Sequence, residues 1–494
     1  HALWHNRCVS RRTGNQKSIE PIEELRRENA RLRQELERSE AERVRVERER
    51  ARLERENTRL KDELEAARRA GARQAAPFSK GPPKRRPRRP GRKPGAAYGH
   101  RGQRAVPTVV HETYDVPVPA TCPACGDAVR DTHIAAQYQE DLPPVQPVVR
   151  RFDVHVGRCR GCDRRVQGRH PLQTSDALGA AAVQLGPQAI ALAVLLNKQF
   201  GLSFGKIATL FRARFGLHAT PSAFVRALHR AAVHSQPTYA ALCETVRTSP
   251  VVVPDETGWK VRGLLHWLWV FATATTTVYR IRRGRGFRDA AAVLGADFAG
   301  GLGRDGWAPY RQFTDAFHQS CLGHLLRRCR LLHRDHPRAR FPARIAGILH
   351  HALAVRDRRA AGTISAHGVA VARGHLFNQV LDVLADPGTI PEMQRFARHL
   401  TVELPALFSF FIDPALDATN WRAEQALRPA IITRKVCGGG NRSRRGADTQ
   451  QVLASILRTA QQRGLDSADV LTTLLRAPTP IVSPHFYPSR TSVN

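Results

Sequence analysis

Between Glu20 and Ala70 apolar residues recur every third or fourth position in a densely charged stretch without glycine, which predicts one long helix. One heptad register runs through Ile22, Leu25, Asn29, Leu32, Leu36, Ser39, Arg43, Val46, Arg50, Leu53, Asn57, Leu60, Leu64 and Ala67. The segments ELRRENARLRQELE, from Glu24, and RLERENTRLKDELE, from Arg52, repeat each other 28 residues apart, four heptads. Each carries Asn on the seam, a device that fixes register and favours two strands. This reads as a parallel dimeric coiled coil; a single charged helix in solvent is the alternative. From 72 to 105 the periodicity stops at repeated Pro and Gly. Short β-like runs follow, such as Thr108–Tyr114 and Phe152–Gly157.

Helical spacing returns over 185–245. Within it, LSFGKIATLFRARFGLHATPSAFVRALHRAA suggests helix, turn, helix, with Gly216 as C-cap, Thr220 as N-cap and Pro221 at the first helical position. This is either a major-groove reader or a pair of packed core helices. From about 249 the pattern turns to β: Val251–Val253 running into Asp255, then LLHWLWVFATAT after a turn at Arg262–Gly263, then TTVYRIRR. Residues 321–405 are mostly helical, and two more helices are predicted near Asp448–Gln461 and Asp469–Leu475.

Charge narrows the function. The 494 residues carry 78 Lys and Arg against 43 Asp and Glu, a net charge of +35. So basic a chain calls for a polyanion, with nucleic acid the first choice and an anionic membrane surface the alternative. From Ala72 to Arg104 there are eleven basic residues and no acidic one. Lys84, Arg85, Arg86, Arg88, Arg89, Arg92 and Lys93 form the centre of this arm, suited to lie along phosphates. A solvated linker or targeting tract is the plainer alternative. No apolar run approaches the roughly 20 residues that span a bilayer, and no secretory signal is expected, since the stretch before the helix lacks the order of basic, apolar and small residues that marks one.

Four of the nine cysteines form two knuckles, Cys122-Pro-Ala-Cys125 and Cys159-Arg-Gly-Cys162, separated by 33 residues. Each knuckle puts two thiolates on one side of a tight loop, and two knuckles close a tetrahedron around a structural Zn²⁺. Gly126 and Gly161 are expected to ease the turns, and a small hairpin to fill the gap. A redox CxxC is the rival reading, and either fits a reducing cytosol.

Hard divalent cations want carboxylates on strand ends and short polar motifs. Asp255 closes VVVPD; Asp305 lies in GRDGWAPY, with Asp297 a nearby competitor; Glu424 lies in TNWRAEQALRP, four residues after Asn420 on the same expected helix face. Taken singly, each has a plain alternative: a turn aspartate for the first two, a helix-surface pair with Arg428 for the third. His318, Cys321 and His324 make an HxxCxxH run, read as structural for want of a nearby fourth ligand.

In order, RRPGRKPG, CPAC, CRGCDRRVQGRHP, VVPDETGW, RDGWAPY, HQSCLGHLLRR and TNWRAEQALRPAIITRK resemble the insertion-sequence transposase family sixty-six, bacterial enzymes of the Asp–Asp–Glu type, over about residues 22 to 475. The resemblance implies an α/β multidomain chain. A ribonuclease-H-like catalytic core (248–445) with a helical insertion (about 321–405) would follow a coiled coil (1–71), the basic arm (72–105), a zinc-binding module (106–171) and a helical DNA-binding region (172–247), and precede a helical tail (446–494). The 118 residues between Asp305 and Glu424 suit that insertion.

It further implies that Asp255, Asp305 and Glu424 hold two Mg²⁺ (or Mn²⁺) ions for phosphoryl transfer on DNA. Arg434 and Lys435 would contact the scissile phosphate. Expected partners are double-stranded DNA (element ends and target), a second copy through the coiled coil, and small companion proteins, in a bacterial cytoplasm at the nucleoid. Two departures stand out: Trp421 replaces the second Asn of the family's Asn-Asn pair, and Gly301-Leu302-Gly303-Arg304 reads as a poor strand where the family has an apolar one.

Overall fold

The dense charge and heptad spacing give one continuous helix, α1 (Glu20–Gly71). In this computed structural model residues 20–71, 104–436 and 440–488 are described, so the basic arm with Lys84, Arg85, Arg86, Arg88, Arg89, Arg92 and Lys93 lies outside the described residues. Residues 1–100 and 101–494 form two separate units. On α1 the seam residues Leu32, Leu36, Val46, Leu53 and Leu60 are all more than half exposed. Ion pairs Arg31–Glu35 and Arg50–Glu54 link its successive turns.

The second unit begins with an extended stretch that holds one short hairpin, β1 (Val156–Arg158) and β2 (Arg165–Gln167). The expected hairpin is therefore present, but it carries the second cysteine knuckle at its tip instead of filling the gap between knuckles. Helices α2 (Pro187–Val194), α3 (Phe204–Phe215), α4 (Pro221–His234) and α5 (Gln236–Arg247) follow. The caps are as the sequence suggests: Gly216 is left-handed at φ 62°, and the Thr220 hydroxyl accepts from the Ala223 N–H. The apolar face of α4, with Phe224, Leu228 and Ala231, lies in the main core.

A mixed sheet comes next: β3 (Val251–Val261), β4 (Leu264–Ala272), β5 (Thr277–Arg282), β6 (Gly301–Arg304) and β7 (Phe317–Ser320), with α6 (Phe287–Leu294) between β5 and β6. The spatial order is β5-β4-β3-β6-β7. β3, β4 and β5 form an antiparallel meander, while β6 and β7 run parallel to β3. Arg262 and Gly263 both have positive φ (55° and 79°), as a two-residue hairpin demands. Pairing continues from Val253–Ala272 to Val261–Leu264, so Asp255 lies inside β3 and does not end it, because β4 supplies a partner well beyond the apolar run.

Strand β6 corrects the poor-strand reading. All four of its residues are buried. A Cβ at Gly301 would meet Leu416 and Val251 at 3.0 Å, and one at Gly303 would meet Val253 at 3.3 Å. The glycines are there because neighbours close over the strand, which removes the apolar signature from the sequence without removing the burial. Gly301→Ala is expected to lower stability by about 1–3 kcal/mol through overpacking, read as a reduced denaturation midpoint at unchanged slope.

Four helices then form the insertion around a core of their own: α7 (Leu322–Asp335), α8 (Phe341–Ala360), α9 (Ala366–Ala385) and α10 (Pro391–Glu403). α11 (Trp421–Val436) packs Ala423, Ala426, Leu427 and Ala430 on the face of the sheet that shows Val253, Trp259 and Val270. A short β8 (Gly440–Asn441) extends the far end of β3. α12 (Arg444–Gln462) and α13 (Ser467–Arg476) share one hydrophobic cluster with α2 to α6 and the opposite face of the sheet.

α12 also covers the sheet edge. The outward N–H groups of Thr277, Tyr279 and Ile281 donate to Thr459 Oγ1 (3.1 Å), Ser455 Oγ (2.8 Å) and Gln451 Oε1 (3.1 Å). Two residues of strand span about 6.7 Å and four of helix about 6 Å, so side chains four apart keep step with alternate strand positions. Among the described residues no helix is long and apolar enough to cross a membrane.

Candidate active site

The parallel pairing of β3 with β6 sets Val251 beside Gly301 and Val252 beside Leu302. Continued by three residues, that register aligns Asp255 with Asp305. Alternation along β3 turns Asp255 to the face that carries α11, the helix of Glu424. Three acids far apart in sequence thus meet electrostatically. Asp255 is pushed up to about 7, mainly by burial, then by the charge of Glu256, with further contributions from Asp305 and Glu424. The Glu256 N–H, donating to Asp255 Oδ1 at 2.8 Å, pulls the other way. Asp305 Oδ1 accepts from the Trp307 N–H at 2.9 Å. Asp297, the competitor, is exposed.

Glu256 points to the opposite face, and sequence reasoning assigned it no role. Its Oε1 accepts from Arg285 Nε at 2.7 Å and its Oε2 from the Tyr310 hydroxyl. Burial still raises this carboxyl, against the pull of both partners. Arg285 is held between Trp267 and Trp307, its guanidinium carbon 4.5 and 4.1 Å from the ring centroids. The only forward signal was the proximity of Trp307 to Asp305 in sequence.

The HxxCxxH run disperses three ways. His318 accepts from Arg304 Nε at Nδ1 (3.0 Å) and donates from Nε2 to the Phe313 carbonyl (2.8 Å). Arg can only donate and a carbonyl only accept, so the tautomer is fixed, and burial lowers the pKa of the ring. Cys321 donates to Asn420 Oδ1 (3.1 Å) and receives the Asn420 N–H (3.2 Å). Asn420 is thus turned to the insertion. His324, with burial lowering its pKa, brings Nε2 to 4.0 Å from Glu424 Oε1, and Arg327 stands 3.4 Å from the same oxygen. Glu424 therefore pairs across to α7, not along its own helix with Arg428.

Arg434 donates to Thr257 Oγ1 (3.3 Å) and to the Gly258 carbonyl, so its guanidinium is tied to β3. Lys435 is exposed. Trp421, half exposed, donates from its indole N–H to Asp417 Oδ2 at 3.1 Å.

The cysteine knuckles are built alike. Gly126 N–H donates to the Cys122 carbonyl and Asp163 N–H to the Cys159 carbonyl, both at 2.9 Å. Cys122 N–H and Cys159 N–H reach Asp127 and Arg164 carbonyls at 2.8 Å. The fourth residue past the first cysteine takes positive φ in each, Gly126 at 84° and Asp163 at 52°. Asp163, not Gly161, makes the second turn. Backbone N–H groups of Ala124 and Cys125 lower the Cys122 thiol, and those of Cys162 and Gly161 lower Cys159. The first cysteine of each knuckle is thus shifted toward the thiolate, the form a zinc ion takes.

Among the described residues no three His, Cys, Asp or Glu side chains are grouped closely enough to enclose an ion. The structure brings Cys122 to Cys125 and Cys159 to Cys162 without joining the pairs, and Glu424 turns to α7. The donor chemistry nonetheless fits: four thiols on two turns of one build for Zn²⁺, and for Mg²⁺ hard oxygen donors, with Asp255 raised by burial, by Glu256 and by the charges of Asp305 and Glu424.

No curated protein matches the chain. A family model described as the transposase IS66 family matches residues 182–449, just over half of the 494.

Proposed function

Because the chain belongs to the IS66 family of transposases, we propose that it cleaves insertion-sequence ends and joins them to target DNA at a site formed by Asp255, Asp305 and Glu424. The single observation that carries this reading is the environment of Asp255: it is raised by burial and by the charge of Glu256, and further by the charges of Asp305 and Glu424, which lie 50 and 169 residues away in sequence. The strand order supports a ribonuclease-H-like core, with a central strand flanked by a meander on one side and parallel strands on the other. Two divalent cations, Mg²⁺ or Mn²⁺, would be held by these carboxylates and supply activation of the attacking oxygen and stabilisation of the leaving one.

The chain's own side chains do the rest. Arg327 and His324 stand at Glu424 where a phosphate oxygen would approach. Arg434 fixes β3 two residues past Asp255, a positioning role in place of direct phosphate contact. The basic arm follows the duplex backbone, the exposed seam of α1 pairs with a second copy, and the thiolate knuckles hold structural zinc. Small companion proteins complete the assembly on the element ends.

The test is cleavage of a labelled duplex bearing the element's own ends, with Mg²⁺ or Mn²⁺. Nicking at the boundary is expected for the wild type, with Asp255→Asn slower by about a thousandfold or more, since even outer-shell changes at metal sites cost 10–100-fold. Salt-sensitive binding of the ends, with no nicking by either protein under any metal, would withdraw the catalytic reading and leave a DNA-binding protein.

A further inference from the structure

Glu403, the last residue of α10, is fully buried. Its Oε2 accepts from Arg304 Nη1 (2.5 Å) and Ser320 Oγ (2.9 Å), and its Oε1 from Arg311 Nη1 (2.9 Å). Burial alone would push this carboxyl up, but Arg304, Ser320 and His399 hold it below its usual value. Both arginines pass the hold on to the loop of Asp305. Arg304 Nη1 donates to the Asp305 carbonyl at 3.1 Å, and Arg311 Nη1 lies 3.4 Å from the Gly306 carbonyl. One turn back on α10, the His399 ring covers Gly306 so closely that a Cβ there would collide with it. A buried charge cluster of this kind adds little stability over apolar residues of the same size. What it does fix is geometry, here the backbone on either side of one acid.

We propose that Glu403 is a positioning residue: from the end of the helical insertion it sets the place of Asp305 through Arg304 and Arg311. This rests on the reading of Asp305 as a metal ligand. It gives the insertion a task at the site, beyond filling the space between the second and third acids.

The experiment measures Mn²⁺ binding to the full chain by loss of the free-ion electron paramagnetic resonance signal, with thermal unfolding alongside. Asp255→Asn serves as the control for the site. Glu403→Gln keeps the shape and removes the charge, and is expected to weaken Mn²⁺ binding about 10–100-fold, the range for outer-shell partners. Gly306→Ala displaces the same loop by its clash with the His399 ring, leaving Glu403, Arg304 and Arg311 themselves unaltered, and should weaken binding similarly at near-normal melting temperature. Adding His399→Ala to Gly306→Ala should restore most of the affinity, a rescue that general destabilisation does not produce. Normal Mn²⁺ affinity in folded Glu403→Gln and Gly306→Ala, with Asp255→Asn defective, overturns the positioning role while sparing the site. Equal binding by wild type and Asp255→Asn overturns both.

Discussion

Asp255→Asn is expected to stabilise the Mg²⁺-free protein above pH 7 and, at the same time, to abolish its response to Mg²⁺. The carboxyl is pushed up to about 7 by burial and by neighbouring acids. Between its ordinary value near 4 and about 7 the folded protein keeps a proton that the unfolded chain has released. Stability therefore falls as pH rises through that window, and the full penalty, a few kcal/mol, stands above it. Asn carries no charge and escapes the penalty. A divalent cation relieves it in the wild type only. Denaturation at pH 5 and pH 8, with and without millimolar Mg²⁺, reads both effects. Identical pH dependence in the two proteins would mean that Asp255 is not the buried anion; equal stabilisation by Mg²⁺ would mean that the ion binds elsewhere.

Zinc removal is expected to unfold residues 104–178 and leave the sheet and its helices standing. None of these residues belongs to the three hydrophobic clusters. Val116, Ile134, Leu142 and Val149 are more than four-fifths exposed. Two three-residue strands and one bridge are the only regular pairing here among the described residues. Apolar burial cannot offset the chain entropy of such a segment, so its order is expected to come from the two knuckles with zinc bound. Thiolate sites supply apparent energies of about 10–16 kcal/mol, enough to make the segment fold only with metal. Limited proteolysis with a zinc chelator should open cleavage sites across it, and Cys122→Ser should do so without the chelator. Unchanged protection together with no zinc by elemental analysis would contradict this.

What the sequence disclosed followed periodicity and turn chemistry. The Arg262–Gly263 hairpin, the caps at Gly216 and Thr220 and the helices of 321–405 are local, and local spacing encodes them. Strand β6 escaped because its burial is achieved with glycine, so the usual apolar mark is missing. The extent of β3 escaped because pairing with β4, not composition, carries it past Asp255. Around the acids the chemistry came from single motifs, but their company did not. Glu403 and Arg304 lie 99 residues apart, and Glu256 and Arg285 lie 29 apart. Nothing in the residues near Glu403 marks it as different from a helix-end glutamate. His324 lay within a run that was noticed, yet only the approach of α7 to α11 turns it toward Glu424.

The cover that α12 places over β5 has a consequence for how such an element ages. An edge strand with bare N–H groups invites pairing with any other chain, and here the guard is encoded after all three acids. A copy cut short after Val436 would still carry Asp255, Asp305 and Glu424 but would leave the N–H groups of Thr277, Tyr279 and Ile281 open. Its product would stick edge to edge to its own kind. Decay from the end of the gene would then do more than silence one insertion: it would turn a folded enzyme into a self-adhesive chain.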